Sequence, residues 1–204
     1  MIKSFLNVFI SLLIIMDPLG NLPFFILFTR EKTSSERRKV AAIATLTACI
    51  ILIFFGLTGD FVLRFFGISL PSFKIAGGFI FFIYALQMLH LIPGGVKTST
   101  EEKQEGMEKE NVALVPLATP LLAGPGAITA VLVWRDKMGY VSQTAYILAA
   151  VVLACLAVYL IFHFGEKISQ ALGVGGIRVI TRIMGFLLAV IAVQFIVSGF
   201  QQLF

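Results

Sequence analysis

Charged residues are scarce in this chain. Asp, Glu, Lys and Arg make up only 13% of its 204 residues, whereas a soluble domain carries roughly 25%. Hydrophobic residues make up 58%, and several runs approach or exceed the ~20 apolar residues that cross a bilayer. The composition therefore excludes a soluble globular protein. It predicts an all-α integral membrane protein with several spans, whose main partner is the lipid bilayer.

Cysteine and histidine are also rare, with two residues of each. Cys49 and Cys155 lie in apolar runs, where they are expected to be buried as small hydrophobic residues. No Cys/His cluster has zinc-site spacing, so no metal or other cofactor is predicted. An enzyme is not expected, because a two-Asp protease would need a second central carboxylate besides Asp17, and neither His90 nor His163 lies beside the interrupted segments. The net charge of +5 is interpreted as reporting membrane orientation, and no nucleic-acid partner is predicted.

Polar interruptions divide the chain into six predicted transmembrane helices. They lie at about 5–28, 40–65, 71–92, 112–134, 143–164 and 177–203. The glutamate-rich stretch 93–111 is predicted to be a solvated linker between the halves 1–92 and 112–204, with binding of a basic partner as the alternative. No Ala precedes Ala41, so the first span lacks the cleavage pattern of a signal peptide and is predicted to be retained.

The second half of the chain repeats the pattern of the first. Pro18 and Pro23 are five residues apart, as are Pro120 and Pro125, which follow 102 residues later. Further matches in the same order, at offsets of 106 to 107, pair Cys49 with Cys155, Gly59-Asp60 with Gly165-Glu166, Gly67 with Gly173, and 78–87 with 185–194. Because three spans are an odd number, the second unit must enter the membrane from the opposite side. The sequence thus predicts two inverted three-helix repeats, an arrangement typical of secondary transporters.

The first helix of each predicted repeat carries Pro and Gly at its middle. Pro removes an N–H donor and clashes with the preceding turn, and unsatisfied backbone groups in hydrocarbon cost several kcal/mol each. Helices one and four are therefore predicted to be discontinuous, stopping near Asp17 and restarting near Pro23 in the first case. The predicted substrate-binding residues are Asp17, Pro18, Leu19, Gly20, Asn21, Pro23, Thr119, Pro120, Leu121, Ala123, Gly124, Pro125 and Gly126.

These helix ends predict the chemistry of the ligand. A helix restart presents free N–H groups that suit a carboxylate, and a helix stop leaves carbonyls that suit an ammonium group or a cation. Together with small and apolar neighbours, they indicate a small zwitterionic amino acid. Asp17 is predicted to lie at the membrane centre, and two roles are open for it. In the functional role it binds the substrate ammonium group or a coupling proton. In the structural role it caps the unwound backbone. Thr119 at the equivalent position cannot carry charge.

The distribution of Lys and Arg predicts the orientation of the chain. Eleven of the 16 basic residues are assigned to the loops after helices one, three and five, Arg178 and Arg182 among them. Since Lys and Arg concentrate in cytoplasmic loops, the loops 29–39 and 93–111 are expected to face the cytoplasm. Both termini are then expected to be periplasmic.

Two motifs resemble those of a known family. "MDPLGNLPFF" in the first span and "PLATPLLAGPGAITAV" in the fourth are similar to segments of the MarC family of bacterial inner-membrane proteins. The resemblance covers essentially the whole chain, including its length, six spans and central linker. The family looks related to the LysE exporter superfamily and includes members described as transporters of glycine and alanine. The resemblance therefore implies transport of such amino acids across the bacterial inner membrane, with the substrate at the two interrupted helices.

The leading interpretation is a secondary transporter of small neutral amino acids, with export as the favoured direction. It would work by alternating access, with substrate near the midplane between the two interruptions. A coupling proton or cation is left open as a further partner. One alternative is an ion- or proton-conducting channel that uses the carbonyl ends and Asp17. The other is a non-transporting membrane scaffold, which would not need two interrupted helices.

Overall fold

The computed structural model describes residues 2–92, 113–138 and 141–203, and all regular structure in these ranges is helical. The elements are α1 (Ile2–Met16), α2 (Leu22–Phe28), α3 (Ser34–Phe65), α4 (Leu70–Met88), α5 (Leu114–Leu122), α6 (Pro125–Met138), α7 (Val141–His163) and α8 (Gly165–Leu203). Among them α3, α4, α7 and α8 contain apolar stretches long enough to cross a membrane. The predicted linker 93–111 lies outside the described residues.

The first predicted span consists of two helices. α1 ends at Met16, residues 17–21 form a turn, and α2 begins at Leu22. Pro23 lies in the first turn of α2, where its missing N–H costs nothing because that group would have no partner within the helix. Asp17 has a positive φ of 38°, a region that Asp and Asn enter more readily than most residues.

The fourth predicted span is also divided in two. α5 has the wide i→i+5 turn of a π-helix and ends at Leu122, and α6 begins at Pro125. The N–H of Ala123 donates to the Ala118 carbonyl over 2.8 Å, which closes the last wide turn of α5. Only Ala123 and Gly124 separate the two helices.

Two predicted boundaries were wrong. The second predicted helix began at residue 40, but α3 begins at Ser34 because Thr33 and Glu36 form a capping box, with the Thr33 N–H donating to the Glu36 carboxylate over 2.7 Å. The predicted break at 165–176 is helical except at Gly173, whose φ of 60° and ψ of 176° bend α8. Such a conformation is essentially restricted to glycine. Its counterpart Gly67 has a φ of 63° in the turn that follows α3.

α4 and the part of α8 after Gly173 pack closely along glycines. A Cβ on Gly78 would lie 2.9 Å from the carbonyl oxygen of Ala192, and one on Gly185 would lie 3.3 Å from that of Ala85. Gly185 lies 107 residues after Gly78 in the sequence, and Ala192 lies 107 residues after Ala85. The two contacts are therefore reciprocal, and the two helices run antiparallel.

α3 and α7 form a second close pair. Alanines of each helix are buried, at positions 41, 44 and 48 of α3 and at 150 and 154 of α7, so the two backbones can approach each other. The side chains of Cys49 and Cys155 lie next to each other where α3 and α7 pack. On the outer face of α3, Leu46, Ile50 and Phe54 are more than half exposed, as expected for side chains that contact lipid.

Arg37 connects the beginning of α3 to the α2–α3 loop and to α8. Its Nε donates to the carbonyls of Thr29 and Lys32 over 2.9 and 3.1 Å, and its Nη2 donates to that of Arg30 over 3.1 Å. The remaining Nη1 forms an ion pair with Glu166. One guanidinium thereby holds the loop and contacts the other half of the chain.

Candidate functional site

A cavity of about 330 Å³ lies between the two interruptions. Its volume falls in the range of small-molecule sites. Seven of the predicted site residues line it: Asp17, Gly20, Asn21, Pro23, Leu121, Gly124 and Gly126. The structure thus brings residues of both interruptions to a single space.

Five of the other predicted residues are not in the cavity wall. Pro18 and Ala123 are buried, Leu19 and Thr119 are half-buried, Pro125 is exposed, and Pro120 belongs to α5. Pro18 is part of the turn after α1, and Pro125 is the first residue of α6. These two prolines act on the backbone, where they set the positions at which helices end and begin.

The carboxylate of Asp17 is turned toward its own turn. Its Oδ1 accepts the Gly20 N–H over 3.1 Å, and a Cβ on Gly20 would collide with the carboxylate. The side chain of Asn21 donates from Nδ2 to the Met16 carbonyl over 2.9 Å, satisfying an acceptor at the end of α1. Asp17 is 9% exposed and also lines the cavity, so capping and ligand contact are compatible at this position.

The beginning of α6 supplies backbone donors to the same cavity. The first N–H groups of a helix have no acceptor within it and carry a partial positive charge. Gly124 and Gly126, at this end of α6, line the cavity. A Cβ on Gly126 would lie 2.7 Å from Cε1 of Phe81, so glycine allows the backbone to pack directly against α4.

Most of the remaining wall comes from α4, the turn after it and α8, and it was largely missed. Among its polar members are Tyr84, Gln87, His90, Arg178 and Thr181. From sequence, Arg178 was assigned to a cytoplasmic loop. The spacing of the α8 wall residues, at 174, 178 and 181, is that of one helix face. The sequence contains that spacing, but only the fold shows that this face of α8 lies near the interruptions of the first and fourth predicted spans.

The cavity opens toward the end of the bundle that contains Val174, and α4 and α8 contact each other at the opposite end. Val174, in its wall near the beginning of the second part of α8, is 74% exposed. At the opposite end α4 and α8 are in tight contact, since a Cβ on Gly199 would lie 2.9 Å from the Pro71 carbonyl oxygen. Lys74 is fully buried there, and its Nζ donates to Oε1 of Gln202 over 2.8 Å.

Comparison with known proteins identifies the family. The profile of the MarC family integral membrane proteins matches residues 2–204. The chain belongs to the MarC family. The resemblance found in its two motifs is thereby confirmed, and this MarC protein is a multi-pass integral membrane protein. Within the described ranges, no group of three or more His, Cys, Asp or Glu side chains could hold a metal ion.

Relatives of this MarC protein occur in bacteria and archaea. It is 38% identical to a UPF0056 membrane protein of Aquifex aeolicus, over 98% of this chain and 93% of the relative. The same identity is found with UPF0056 membrane proteins of Escherichia coli, over 96% and 91% of the two chains, and of Methanocaldococcus jannaschii, over 98% and 97%. Their names state neither a substrate nor an enzymatic activity. No solved structure matches the chain.

Proposed function

We propose that this MarC protein is a secondary transporter of small neutral amino acids in the bacterial inner membrane, with export as its direction. The observation that carries the proposal is the convergence of both interruptions on one cavity of about 330 Å³. A membrane scaffold has no need of such a cavity. The volume accommodates a glycine- or alanine-sized ligand together with water.

The chemistry of the wall supports a zwitterionic substrate. Asp17 is the acidic side chain of the cavity, and it suits an ammonium group. The backbone donors at the beginning of α6 suit a carboxylate. Apart from Asn21, whose side chain donates to the Met16 carbonyl, the remaining wall residues from the interruptions are apolar or lack a side chain, which favours small neutral side chains on the substrate.

The proposal includes two inverted three-helix repeats with discontinuous first helices. The reciprocal glycine contacts of α4 and α8 support it, as does the shared positive φ of Gly67 and Gly173. Cys49 and Cys155 are matched positions that lie next to each other, as expected where a pseudo-two-fold axis passes between two repeats. In this scheme α3 corresponds to α7 together with the first part of α8.

The contact of α4 and α8 at one end of the bundle favours alternating access over a channel. A channel needs a continuous path, whereas α4 and α8 are in close contact at the end where Lys74 is buried and Gly199 meets Pro71. With the orientation expected from the basic residues, the open end faces the cytoplasm. We assign the structure to an inward-open state of the transport cycle, in which substrate enters from the cytoplasmic side.

Solute counterflow in proteoliposomes tests the function. Purified protein is reconstituted with internal unlabelled glycine, alanine or serine, and entry of labelled glycine is followed. We expect transient accumulation that is competed by the three small amino acids and not by leucine or lysine. Protein-free liposomes and an ion-flux assay with a pH-sensitive dye are the controls. Ion conduction without amino acid exchange would replace the proposal with the channel alternative.

A further inference from the structure

Two side chains of opposite charge line the same cavity. Asp17 lies at the interruption between α1 and α2, and Arg178 lies on the second part of α8, five residues after the bend at Gly173. Asp17 is 9% exposed, whereas Arg178 is exposed on the open side. The cavity therefore has an anionic group at its inner wall and a cationic group toward its opening.

Arg178 is available to a ligand. Within the part of the chain that the structure describes, its guanidinium makes no hydrogen bond and no ion pair. Arg37, in contrast, uses its guanidinium on three carbonyls and Glu166. Thr181, three residues after Arg178 and on the same helix face, adds a hydroxyl group to the wall.

We infer that Arg178 binds the carboxylate of the substrate while Asp17 receives its ammonium group. This inference rests on the proposed function and specifies how its site selects zwitterions. A guanidinium presents a planar set of donors that matches a carboxylate in a two-point contact. The carboxylate of Asp17 uses Oδ1 for the Gly20 N–H, and an ionised carboxylate retains further acceptor positions for an ammonium group.

This assignment makes the substrate a link between the two halves of the chain. A ligand held by Asp17 and Arg178 contacts the interruption of the first half and the last helix of the second. A molecule with only one of the two charges contacts only one half. The same two-point contact would then select zwitterions and draw the two halves together around the substrate.

The inference differs from carboxylate binding by the beginning of α6. If the backbone donors near Gly124 and Gly126 held the carboxylate alone, loss of the guanidinium would leave substrate selection intact. Arg182, one turn further along α8, provides a matched control because it is also an exposed arginine and is absent from the cavity wall.

The experiment compares wild type, R178Q, R178K and R182Q in the glycine counterflow assay. Each variant is checked for folding by size-exclusion chromatography and thermal melting. Half-saturation is measured for glycine, and competition is measured with glycinamide, which keeps the ammonium group but lacks the carboxylate. We expect R178Q to raise the half-saturation concentration of glycine about 10- to 100-fold, the loss that accompanies a charged hydrogen bond.

Selectivity separates binding from a purely structural effect. R178Q should also lose the preference for glycine over glycinamide, whereas R178K should keep that preference with weaker binding, and R182Q should match wild type. If R178Q does not fold, R178K with its altered half-saturation and retained preference carries the test. Glycine exchange by wild type with unchanged binding and selectivity in both Arg178 variants would overturn the inference alone. Absence of amino acid exchange in wild type would overturn the proposed function itself.

Discussion

The carboxylate of Asp17 accepts a backbone N–H of its own turn and also borders the cavity. Its positive φ places the side chain over Gly20, which has no Cβ to obstruct it. Asn21 completes the arrangement by donating to the last carbonyl of α1. The turn is thus stabilised by polar groups of its own sequence, so that the break in the helix does not leave these backbone groups unsatisfied in the membrane.

Replacing Asp17 with Asn removes the charge of the side chain but keeps its ability to cap the turn. Asn keeps the size of the side chain and can still accept the Gly20 N–H, so we expect a folded protein with a stability loss of about 1–3 kcal/mol at most. Glycine flux in liposomes, normalised to folded protein, should be abolished or uncoupled from any driving ion. Thr119→Ala should reduce flux only partially, because the backbone donors of α6 remain. Normal flux with unchanged pH dependence in Asp17→Asn would show that the charge takes no part.

At this scale the sequence predicted seven of the 21 residues that line the cavity. Asp17, Gly20 and Asn21 were identified because polar residues and glycine are out of place at the middle of an apolar run. Tyr84 and Arg178 were not, because a tyrosine within an apolar helix and an arginine near a helix end are ordinary features of membrane proteins. Whether such residues line a cavity depends on which helix faces pack against each other.

Among the elements, α4 and α8 form a pair that packs closely along glycines. Gly78 and Gly185 contact carbonyl oxygens of the opposite helix, an arrangement that small residues permit in membrane helix pairs. The sequence matched the segments that contain these glycines, 78–87 and 185–194, but did not indicate their packing partners. It also placed the beginning of the last helix too late, because the polar residues of 165–172 were taken for a loop, although polar residues form helices readily outside hydrocarbon.

Gly78→Ala should destabilise the protein, since its Cβ would lie 2.6 Å from Cγ1 of Ile196 and 2.9 Å from the Ala192 carbonyl oxygen. Overpacking of this kind costs about 1–3 kcal/mol. Gly175→Ala is the matched control, because nothing lies within 4 Å of a Cβ there. Thermal melting of both purified variants in detergent provides the measurement. Equal melting temperatures for the two variants would mean that α4 and α8 do not require this close approach.

Arg37 offers a second test at the level of elements. Arg37→Ala removes the guanidinium donors from three carbonyls, of Thr29, Arg30 and Lys32, and we expect a loss of about 1–3 kcal/mol. Glu166→Gln removes only the ion pair, and because Glu166 is 58% exposed the effect should be below about 1 kcal/mol. The melting temperature should therefore fall clearly in Arg37→Ala and little in Glu166→Gln. The reverse order would show that the ion pair is the dominant contact.

For the whole molecule, the distribution of basic residues predicts the side of the membrane that each loop faces. In a background without Cys49 and Cys155, we expect Ser69→Cys to react with a membrane-impermeant thiol reagent in intact spheroplasts. Ser35→Cys should react only after lysis. Both serines are exposed, so a difference in labelling reports the side and not burial. Labelling of Ser35→Cys in intact cells, with Ser69→Cys protected, would reverse the assigned orientation.

The buried Lys74 affects the transport cycle, in which the two halves exchange conformations. The shift of 107 residues that relates α4 to α8 carries position 74 to position 181, and Thr181 is part of the open cavity wall. In the opposite state of the cycle, the entrance would therefore be bordered by an ammonium group where the present one has a hydroxyl. The same shift carries Arg178 back to Pro71, so each entrance would have one basic residue, but on a different turn of its helix. The substrate would therefore meet the positive charge at a different position on leaving than on entering.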